Sequence, residues 1–580
     1  MKYLLYLYGL QQERFQLGNF FGLELLLVAI VTLIALSAPR FGSRFFLRIE
    51  NRTRAIAVRP AAATVLAAIV PVGFRLLLLP VMPLPQPKIH DEFSHLLAAD
   101  TFAHGRLVNP GLRCWEHFES FHINVTPAYV SMEPPLHGMM LAAGQVLFQT
   151  PWAGVVLEAV LMSALSTWML YGWLRPYWAL TGGLIVAVRF GVFSYWMNSY
   201  WGGALAAAGG ALVLGALPRL LRKPSVGSSF LMGLGAVVLA GTRPFEGLTV
   251  CMAVAAAFTV ALVRRRLRFN TIAQQIAAPV LLTVIPAAAW YLYYNHRTTG
   301  DALKMAHQVN RAQYAVVPYW IWQPMKPAPA YNHQVMRKFF TEYEPEVFEK
   351  TIGNWRALLL HHVARKTRAF IFFFFTPALL IPTIVLFSVS SLRRLWIPGA
   401  VLAATCAGWF ASTAGFLPHY AAPITSLVIA LSMMGLRRIR VWGRDQGRTG
   451  LSLSRWLLAS IGLMCMVRVS TAPWPQLLPD SYEQGRTWAG AVGGDGFRRA
   501  MTLKELGGMR SLVFVRYAPD HTIHDEWVYN PADIQNATTI LARDMGRDAN
   551  RCVVEAYPGR KVWLLEPDLT PPKYSPYPTQ

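Results

Sequence analysis

The segment that decides the fold is RLLLLPVMPLPQPKIHDEFSHLLAADTFAHGRLVNP, residues 75–110. It starts inside a long apolar run, and the acidic pair Asp91 and Glu92 follows soon after that run ends. If the run is a transmembrane helix, these carboxylates lie at the level of the lipid headgroups, held by a rigid element. The composition of the whole chain decides whether such a helix is expected.

The composition is that of a membrane protein. Of the 580 residues, 54% are hydrophobic and only 14% are charged, and the mean hydropathy is +0.34. Soluble domains carry about 25% charged residues, so these charges are too few to cover a water-soluble protein of this size. We predict a polytopic α-helical membrane protein with about twelve transmembrane helices. The predicted spans are 19–38, 61–82, 152–174, 178–196, 202–221, 228–242, 244–263, 274–294, 369–390, 395–415, 418–435 and 455–470.

The net charge of +24 does not indicate nucleic-acid binding, because the arginine clusters lie between the apolar runs. The positive-inside rule assigns these basic connections to the cytoplasm. The spans then alternate between the two sides, provided that 134–150 lies at the membrane interface. Both termini are then outside, and the first helix is an uncleaved span. The basic connections are 40–59, 219–223, 264–268, 393–394 and 437–448.

Residues that were not used to set this topology agree with it. All 14 histidines fall outside or at the outer end of a helix, and Glu50 and Asp445 are the acidic residues in cytoplasmic loops. The basic bias of the inner loops accounts for part of this asymmetry. We therefore expect the chemistry on the outer side, in the regions 83–151, 295–368 and 471–580.

The predicted domains follow from this layout. Residues 1–60 form an additional helix and a basic loop, 61–470 form the transmembrane domain, and 471–580 form a small extramembrane α/β domain. The last assignment depends on segments with the pattern of short strands, at 511–517, 538–545 and 561–568.

The five cysteines show no CxxC or other metal-ligand spacing. Cys114 and Cys552 lie in polar segments on the same predicted face, where a disulfide between them is one alternative.

The acidic pair begins the stretch DEFSHLLAADTFAHG, which predicts an amphipathic helix lying in the interface, with Phe93, Leu96 and Leu97 on one face. A partly desolvated carboxylate at a membrane surface can act as a general base. The alternative is that Asp91 and Glu92 only stabilise the first turn of this helix electrostatically.

An ordered series of motifs resembles the GT-C glycosyltransferases. HDEFSHLLAADTFAHGRLVNP (90–110) and VSMEPPLHGMMLAAGQVLF (130–148) are similar to the first outer loop of that group. VVLAGTRPFEGL (237–248) and LPHYAAPITSLVIAL (417–431) are similar to two later segments. The likeness is strongest to the protein O-mannosyltransferases and the lipid A aminoarabinose transferase, that is, to bacterial glycosyltransferase family 39.

The resemblance implies a polyprenyl-phosphate-sugar donor and sugar transfer outside the membrane, in the cell envelope. Asp91 would be the catalytic base, and Glu92 would orient either Asp91 or the acceptor. Arg243, His419 and Arg189 would bind the donor phosphate. For Arg243 the alternatives are snorkelling or pairing with Glu246, and for Arg189 the alternative is a buried pair with Glu158.

Other candidate residues would contact the substrates. They are His95, Glu133, Tyr420, Trp320 and Trp322. The two tryptophans equally suit an interfacial aromatic belt. Two positions depart from the family pattern: Glu133 stands where Lys or Tyr is common, and His419 where Arg is common.

No metal or cofactor is predicted, because neither HDE tripeptide, at 90–92 or at 524–526, has a metal-binding spacing such as HExxH. The expected partners are a polyprenyl-phosphate sugar, membrane lipid, and an acceptor glycan, lipid or protein. Two other functions stay open. One is a transporter or flippase for a lipid-linked sugar, and the other is a non-catalytic glycolipid-binding accessory protein.

Overall fold

The computed structural model describes residues 2–577 except 266–267, 391, 414, 416, 443–447 and 472–494. Asp445 and parts of two basic connections therefore lie outside the described residues. The chain forms two compact units. The helical unit comprises Met1–Leu84, Val155–Ile285 and Val363–Gly490, and the mixed unit comprises Pro85–Gly154, Pro286–His362 and Ala491–Gln580.

Helices make up most of the described chain. In chain order they are α1 (Lys2–Ser37), α2 (Ser43–Ala57), α3 (Pro60–Leu77), α4 (His90–Ala103), α5 (Pro135–Phe148), α6 (Pro151–Trp173), α7 (Pro176–Arg189), α8 (Ala204–Arg222), α9 (Val226–Ala240), α10 (Pro244–Arg265), α11 (Phe269–Ile272), α12 (Ala278–Thr299), α13 (Ala306–Tyr314), α14 (Gln334–Arg337), α15 (Glu344–Ile352), α16 (Trp355–Ala357), α17 (Ala364–Phe374), α18 (Pro377–Val389), α19 (Leu392–Ala411), α20 (Thr425–Val441), α21 (Thr449–Thr471), α22 (Asp495–Leu506) and α23 (Arg547–Ala556).

Within the described residues, 8 helices are long and apolar enough to cross a membrane, or up to 9 if one bent pair is a single span. Val226–Ala240 and Leu395–Ala411 are shorter apolar helices. Together with the sheet near the C-terminus, these helices confirm the predicted fold, a multi-pass α-helical membrane protein with a small C-terminal α/β domain.

Two predicted spans are interrupted. The span 178–196 is wrong in its second half, because α7 ends at Arg189 and residues 190–203 form buried turns. The Asn198 side chain donates to the carbonyls of Val192 and Ser194, which replaces helical hydrogen bonds. The span 369–390 is broken before Pro377, where Trp355–Phe374 and Pro377–Val389 differ in direction by 110°.

The mixed unit contains two small sheets. The first has the strand order β1 (Asn109–Pro110), β3 (Ala128–Ser131), β2 (Ile123–Asn124), all antiparallel. The second has the order β5 (Thr539–Arg543), β4 (Ser511–Val515), β6 (Lys561–Glu566), β7 (Lys573–Pro576). β4 is parallel to β5 and β6, and β7 is antiparallel to β6.

Helix α4 is buried within the mixed unit, so the prediction of an amphipathic helix at the interface is wrong. Leu97 belongs to a hydrophobic core shared with Phe514 and Ile540 of the C-terminal sheet. The Phe93 ring stacks on Tyr529 with the ring centres 4.0 Å apart. The C-terminal segment supplies these partners, which local periodicity cannot reveal.

Helix α5 packs closely on α4. A Cβ atom added at Gly138 would lie 2.6 Å from Ala98 Cβ, so the close contact requires glycine. A disulfide joins Cys114 to Cys552, which links the first segment of the mixed unit to the last.

A buried polar network also joins the segments of the mixed unit. The Glu119 carboxylate accepts hydrogen bonds from Tyr314 Oη at 2.7 Å and Asn332 Nδ2 at 2.9 Å. The Arg543 guanidinium donates to the Glu119 carbonyl and to Glu526 Oε2, at 2.8 and 2.7 Å. Burial would raise the pKa of Glu526, but Arg543 and Tyr517 outweigh it and lower that pKa to about 2.

Candidate functional site

The candidate site in the mixed unit is an acid cluster formed by Asp91, His122 and Glu133. Asp91 lies in the first turn of α4, and its Oδ1 atom is 3.5 Å from Nδ1 of His122. One potential ligand atom from each of the three residues lies within 4.8 Å of the others. The Asp91 and His122 side chains are 23% and 16% exposed, so solvent and substrate can reach the cluster.

The Ser94 side chain fixes this arrangement. Its hydroxyl, fully buried one turn after Asp91, donates to the His122 carbonyl at 2.6 Å and lies 2.8 Å from Ser131 Oγ. Ser131 Oγ in turn accepts from the backbone N–H of Glu133 at 3.0 Å. These hydrogen bonds link the backbone of His122 to that of Glu133 through two serines, and Ser94 lies on the same helix as Asp91.

His122 has two unusual properties. Its backbone φ is 60°, in the left-handed region that non-glycine residues seldom adopt. Burial would lower the pKa of its imidazole, but the carboxylates of Asp91, Glu133 and Glu344 outweigh burial and raise it.

Glu92 contributes to the backbone of α4. Its carboxylate accepts hydrogen bonds from the N–H groups of Lys88 and Ile89, at 2.9 and 3.1 Å, and its side chain is fully buried. This is the reciprocal half of a helix-capping box. The role of Glu92 as a catalytic partner of Asp91 stays a prediction.

The remaining candidates of the mixed unit lie in two aromatic pairs. The buried ring of His95 is edge-on to His137, with the ring centres 4.5 Å apart. Trp320 and Trp322 stack in parallel at 5.5 Å, and the Trp322 side chain is exposed. Their predicted contacts with substrate stay predictions.

The three members of the acid cluster could also hold a divalent cation, since imidazole and carboxylate groups are ligands for several metal ions. The spacing of these residues in the sequence, 91, 122 and 133, follows no known metal motif. Only the fold brings them together.

In the helical unit, Arg243, His419 and Tyr420 lie near one another. The Arg243 guanidinium lies over the Tyr420 ring at 5.0 Å. His419 is buried, and its Nδ1 atom is 2.9 Å from the hydroxyl of Tyr195. The structure thus brings together residues from two of the family-like motifs, while Asp91 belongs to the other unit.

The Arg189 side chain caps the carboxyl end of α17. Its guanidinium donates to the carbonyls of Phe372, Phe373 and Phe375, at distances of 2.5 to 3.3 Å. It also lines an apolar cavity, together with Glu24 and Arg468. These carbonyls use much of the donor capacity that was predicted for a phosphate.

Sequence reasoning missed two buried cations of the helical unit. Arg75 donates to Asn198 Oδ1 and to the carbonyls of Met82 and Pro83, at 2.7 to 3.0 Å. Lys366 Nζ donates to the carbonyls of Trp409 and Ser412, at 2.7 and 2.8 Å. The signal for Arg75 was its position as a lone charge inside the predicted span 61–82.

No protein-family model and no curated protein matches the chain. Solved structures similar to it include two glycosyltransferases. ArnT from Cupriavidus metallidurans bound to undecaprenyl phosphate has 14% identity and a TM-score of 0.46, over 87% of this chain and 92% of that one. The oligosaccharyltransferase of Archaeoglobus fulgidus has 11% identity and a TM-score of 0.36, over 87% and 69%. Both are GT-C glycosyltransferases, the group that the sequence motifs indicated.

Proposed function

We propose that the protein is a membrane glycosyltransferase that moves a sugar from a polyprenyl phosphate to an acceptor on the extracytoplasmic side. The observation that carries the proposal is the acid cluster: Asp91 is half-buried, lies 3.5 Å from His122, and occurs within the ordered series of family-like motifs. A partly desolvated carboxylate on a rigid helix has the chemistry of a general base.

The proposed step is an inverting displacement. The Asp91 carboxylate takes the proton of an acceptor hydroxyl or amine while the acceptor oxygen or nitrogen attacks the anomeric carbon. The bond from that carbon to the phosphate oxygen breaks, and the electron pair leaves with the polyprenyl phosphate. One carboxylate is sufficient because the phosphate is already a good leaving group. His122, with its raised pKa, stabilises the negative charge of Asp91 before the transfer.

The donor needs a cation for its phosphate and an apolar surface for its chain. Arg243 is the main candidate for the phosphate, supported by Tyr420 and His419, because a guanidinium binds phosphate in a bidentate manner. The apolar cavity beside Arg189 is a candidate for the isoprenoid chain. Undecaprenyl phosphate, which the ArnT structure holds, is a lipid of this chemistry.

The location on the extracytoplasmic side is supported by the disulfide between Cys114 and Cys552, because disulfides persist in oxidising compartments. The three predicted outer regions also contribute to one compact unit, as expected if they lie on the same side of the membrane. In a bacterium this would be the periplasmic side of the inner membrane.

The test is sugar transfer by the purified full-length protein in liposomes. Radiolabelled undecaprenyl-phosphate sugars are offered with a panel of glycan, lipid and peptide acceptors. Asp91→Asn should lower turnover about 100- to 10,000-fold, the usual contribution of a general base, with little change in donor binding. Unchanged turnover in Asp91→Asn would remove Asp91 from this role.

Glu116→Gln serves as the matched control, because it removes a carboxylate from the same outer segment, outside the acid cluster. It should transfer sugar at the wild-type rate. If the wild-type protein bound the labelled lipid but never transferred its sugar, the accessory-protein alternative would replace the enzyme. Movement of the intact lipid between leaflets would instead favour the flippase.

A further inference from the structure

The carboxyl ends of the parallel strands in the C-terminal sheet converge on one edge. Arg516 and Tyr517 follow β4, Asp544 follows β5, and Asp568 comes soon after β6. The chain passes from β4 to β5 on one side and then to β6 on the other side of β4. In open α/β sheets, ligands bind outside the carboxyl ends of the strands at such a change of direction.

A polar cavity lies at this edge, entirely within the mixed unit. The cations Lys338, Arg516 and Arg543 line it, against the single carboxylate of Asp544. Asp544 pairs with Arg516 at 2.6 Å, and Lys338 donates to the Pro519 carbonyl. Glu526 also balances the charge of Arg543, and Asp568 contacts His521, so these cations favour an oxyanion ligand through their N–H donors and not through an excess of charge.

Two buried side chains at this cavity keep polar atoms without a hydrogen-bond partner among the described residues. They are Nη1 of Arg543 and Nε2 of His521, and both side chains are 3% exposed. Leaving a buried polar atom without a partner is costly, so such atoms usually serve a ligand or an ordered water.

The surrounding residues hold both side chains rigidly. The Tyr517 ring stacks on His521 at 3.8 Å, and the Arg543 guanidinium lies over the same ring at 5.6 Å. Asp568 accepts from Nδ1 of His521 at 2.6 Å, which leaves Nε2 as the ring nitrogen available to a ligand. With Nδ1 donating to Asp568, Nε2 of the neutral His521 ring is an acceptor, while Nη1 of Arg543 is a donor. A ligand that offers an oxyanion to Arg543 and a hydroxyl to His521 therefore meets partners that are fixed before it arrives, which lowers the entropic cost of binding.

We propose that this cavity is a second ligand site, which binds an oxyanion group, carboxylate or phosphate, of a water-soluble molecule. Arg516 and Lys338 contact the anion from the exposed side, and Arg543 contacts it from the interior, where His521 accepts a hydrogen bond from a hydroxyl of the ligand. The site is independent of the acid cluster and of the sugar-transfer proposal, since none of its residues belongs to either.

The test is ligand binding by the purified full-length protein in detergent, measured by isothermal titration. Inorganic phosphate and glucuronate are the two anionic probes, and glucose is the neutral control. Both anions should bind, each in competition with the other, and glucose should not. Arg516→Gln and Lys338→Gln should each weaken binding about tenfold, since each removes one charge-assisted contact.

Arg510→Gln is the matched control, because Arg510 precedes β4 and lies at the opposite, amino end of that strand. It should bind both anions as the wild type does. The Arg516 side chain is half-exposed, so Arg516→Gln should keep the wild-type thermal midpoint. The proposal would be overturned if neither anion bound, if glucose bound as tightly as the anions, or if the Lys338→Gln, Arg516→Gln double variant bound them as the wild type does. Binding of phosphate alone would restrict the site to phosphorylated ligands.

Discussion

The mixed unit contains two groups of acids that differ in how deeply they are buried. In the buried network, Glu526 is 1% exposed and receives a guanidinium, a tyrosine hydroxyl and a backbone N–H. In the acid cluster, Asp91 is 23% exposed and its nearest imidazole nitrogen is 3.5 Å away. The network holds chain segments together, while the more open cluster has the exposure that a reacting group needs.

The largest effect should come from breaking the network. Glu526→Gln leaves the Arg543 charge buried without its carboxylate, and such a loss costs about 3–5 kcal/mol. We expect a large drop in the thermal midpoint of the purified protein. Size-exclusion chromatography of the same sample checks that the variant is not aggregated. The same change in the cluster, Asp91→Asn, should leave that midpoint nearly unchanged. Equal losses of stability in the two variants would contradict the distinction.

A second effect of the network is sensitivity to acid. Burial and the Arg543 charge lower the pKa of His333 to about 3, so the folded protein holds this ring neutral. Since the unfolded chain binds a proton below about pH 6.5, stability should fall as the pH falls from 6.5 toward 3. Between pH 6.5 and 5 the loss should be about 2 kcal/mol.

His333→Gln should flatten this acid dependence while keeping a donor for the Glu116 carbonyl, which His333 Nε2 contacts at 2.6 Å. Thermal midpoints measured from pH 7.5 to pH 5 provide the comparison. An equally steep profile in the variant would assign the acid sensitivity to other groups, of which His90, with a pKa lowered to about 3, is the next to examine.

A smaller effect should follow from loosening the acid cluster. Ser94→Ala removes the hydroxyl that donates to the His122 carbonyl, at a cost of about 1–2 kcal/mol. Sugar transfer should fall about tenfold because Asp91, His122 and Glu133 lose their common support. Ser94→Thr keeps a hydroxyl and should retain more activity. A Ser94→Ala variant with wild-type turnover would show that the cluster needs no such positioning.

The smallest effect should come from removing metal ions. If Asp91 acts as a base, its carboxylate is not a metal ligand during turnover, and excess EDTA should leave the rate of transfer unchanged. The cluster has the groups to bind a cation, so this experiment is decisive. Loss of activity that Mn²⁺ or Zn²⁺ restores would assign Asp91 to metal binding instead.

Much of the architecture was predictable because it depends on local composition. The long apolar runs predicted the spanning helices, and the short strand-like segments of the tail predicted β4, β5 and β6. The predictions failed where contacts between residues that are distant in sequence decide the end or the burial of a helix. The helix before Phe190 ends because Asn198 supplies side-chain hydrogen bonds to the chain that follows, and α4 is buried because a segment more than 400 residues later covers it.

The candidate site divides in the same way. Asp91 could be selected from the sequence, because an acidic residue soon after an apolar transmembrane segment is unusual in itself. His122 could not be selected from the sequence. Its role depends on a carboxylate that is distant in sequence and on a backbone conformation that Ser94 helps to fix.

By itself, the sequence determined that this is a multi-pass membrane protein, because burial in lipid demands long apolar runs that can be recognised in the sequence. Only the tertiary structure decided which charges are satisfied. It paired Glu526 with Arg543, joined Cys114 to Cys552, and set His122 beside Asp91. Whether a charged side chain has a structural role or can react depends on the neighbours that folding brings to it.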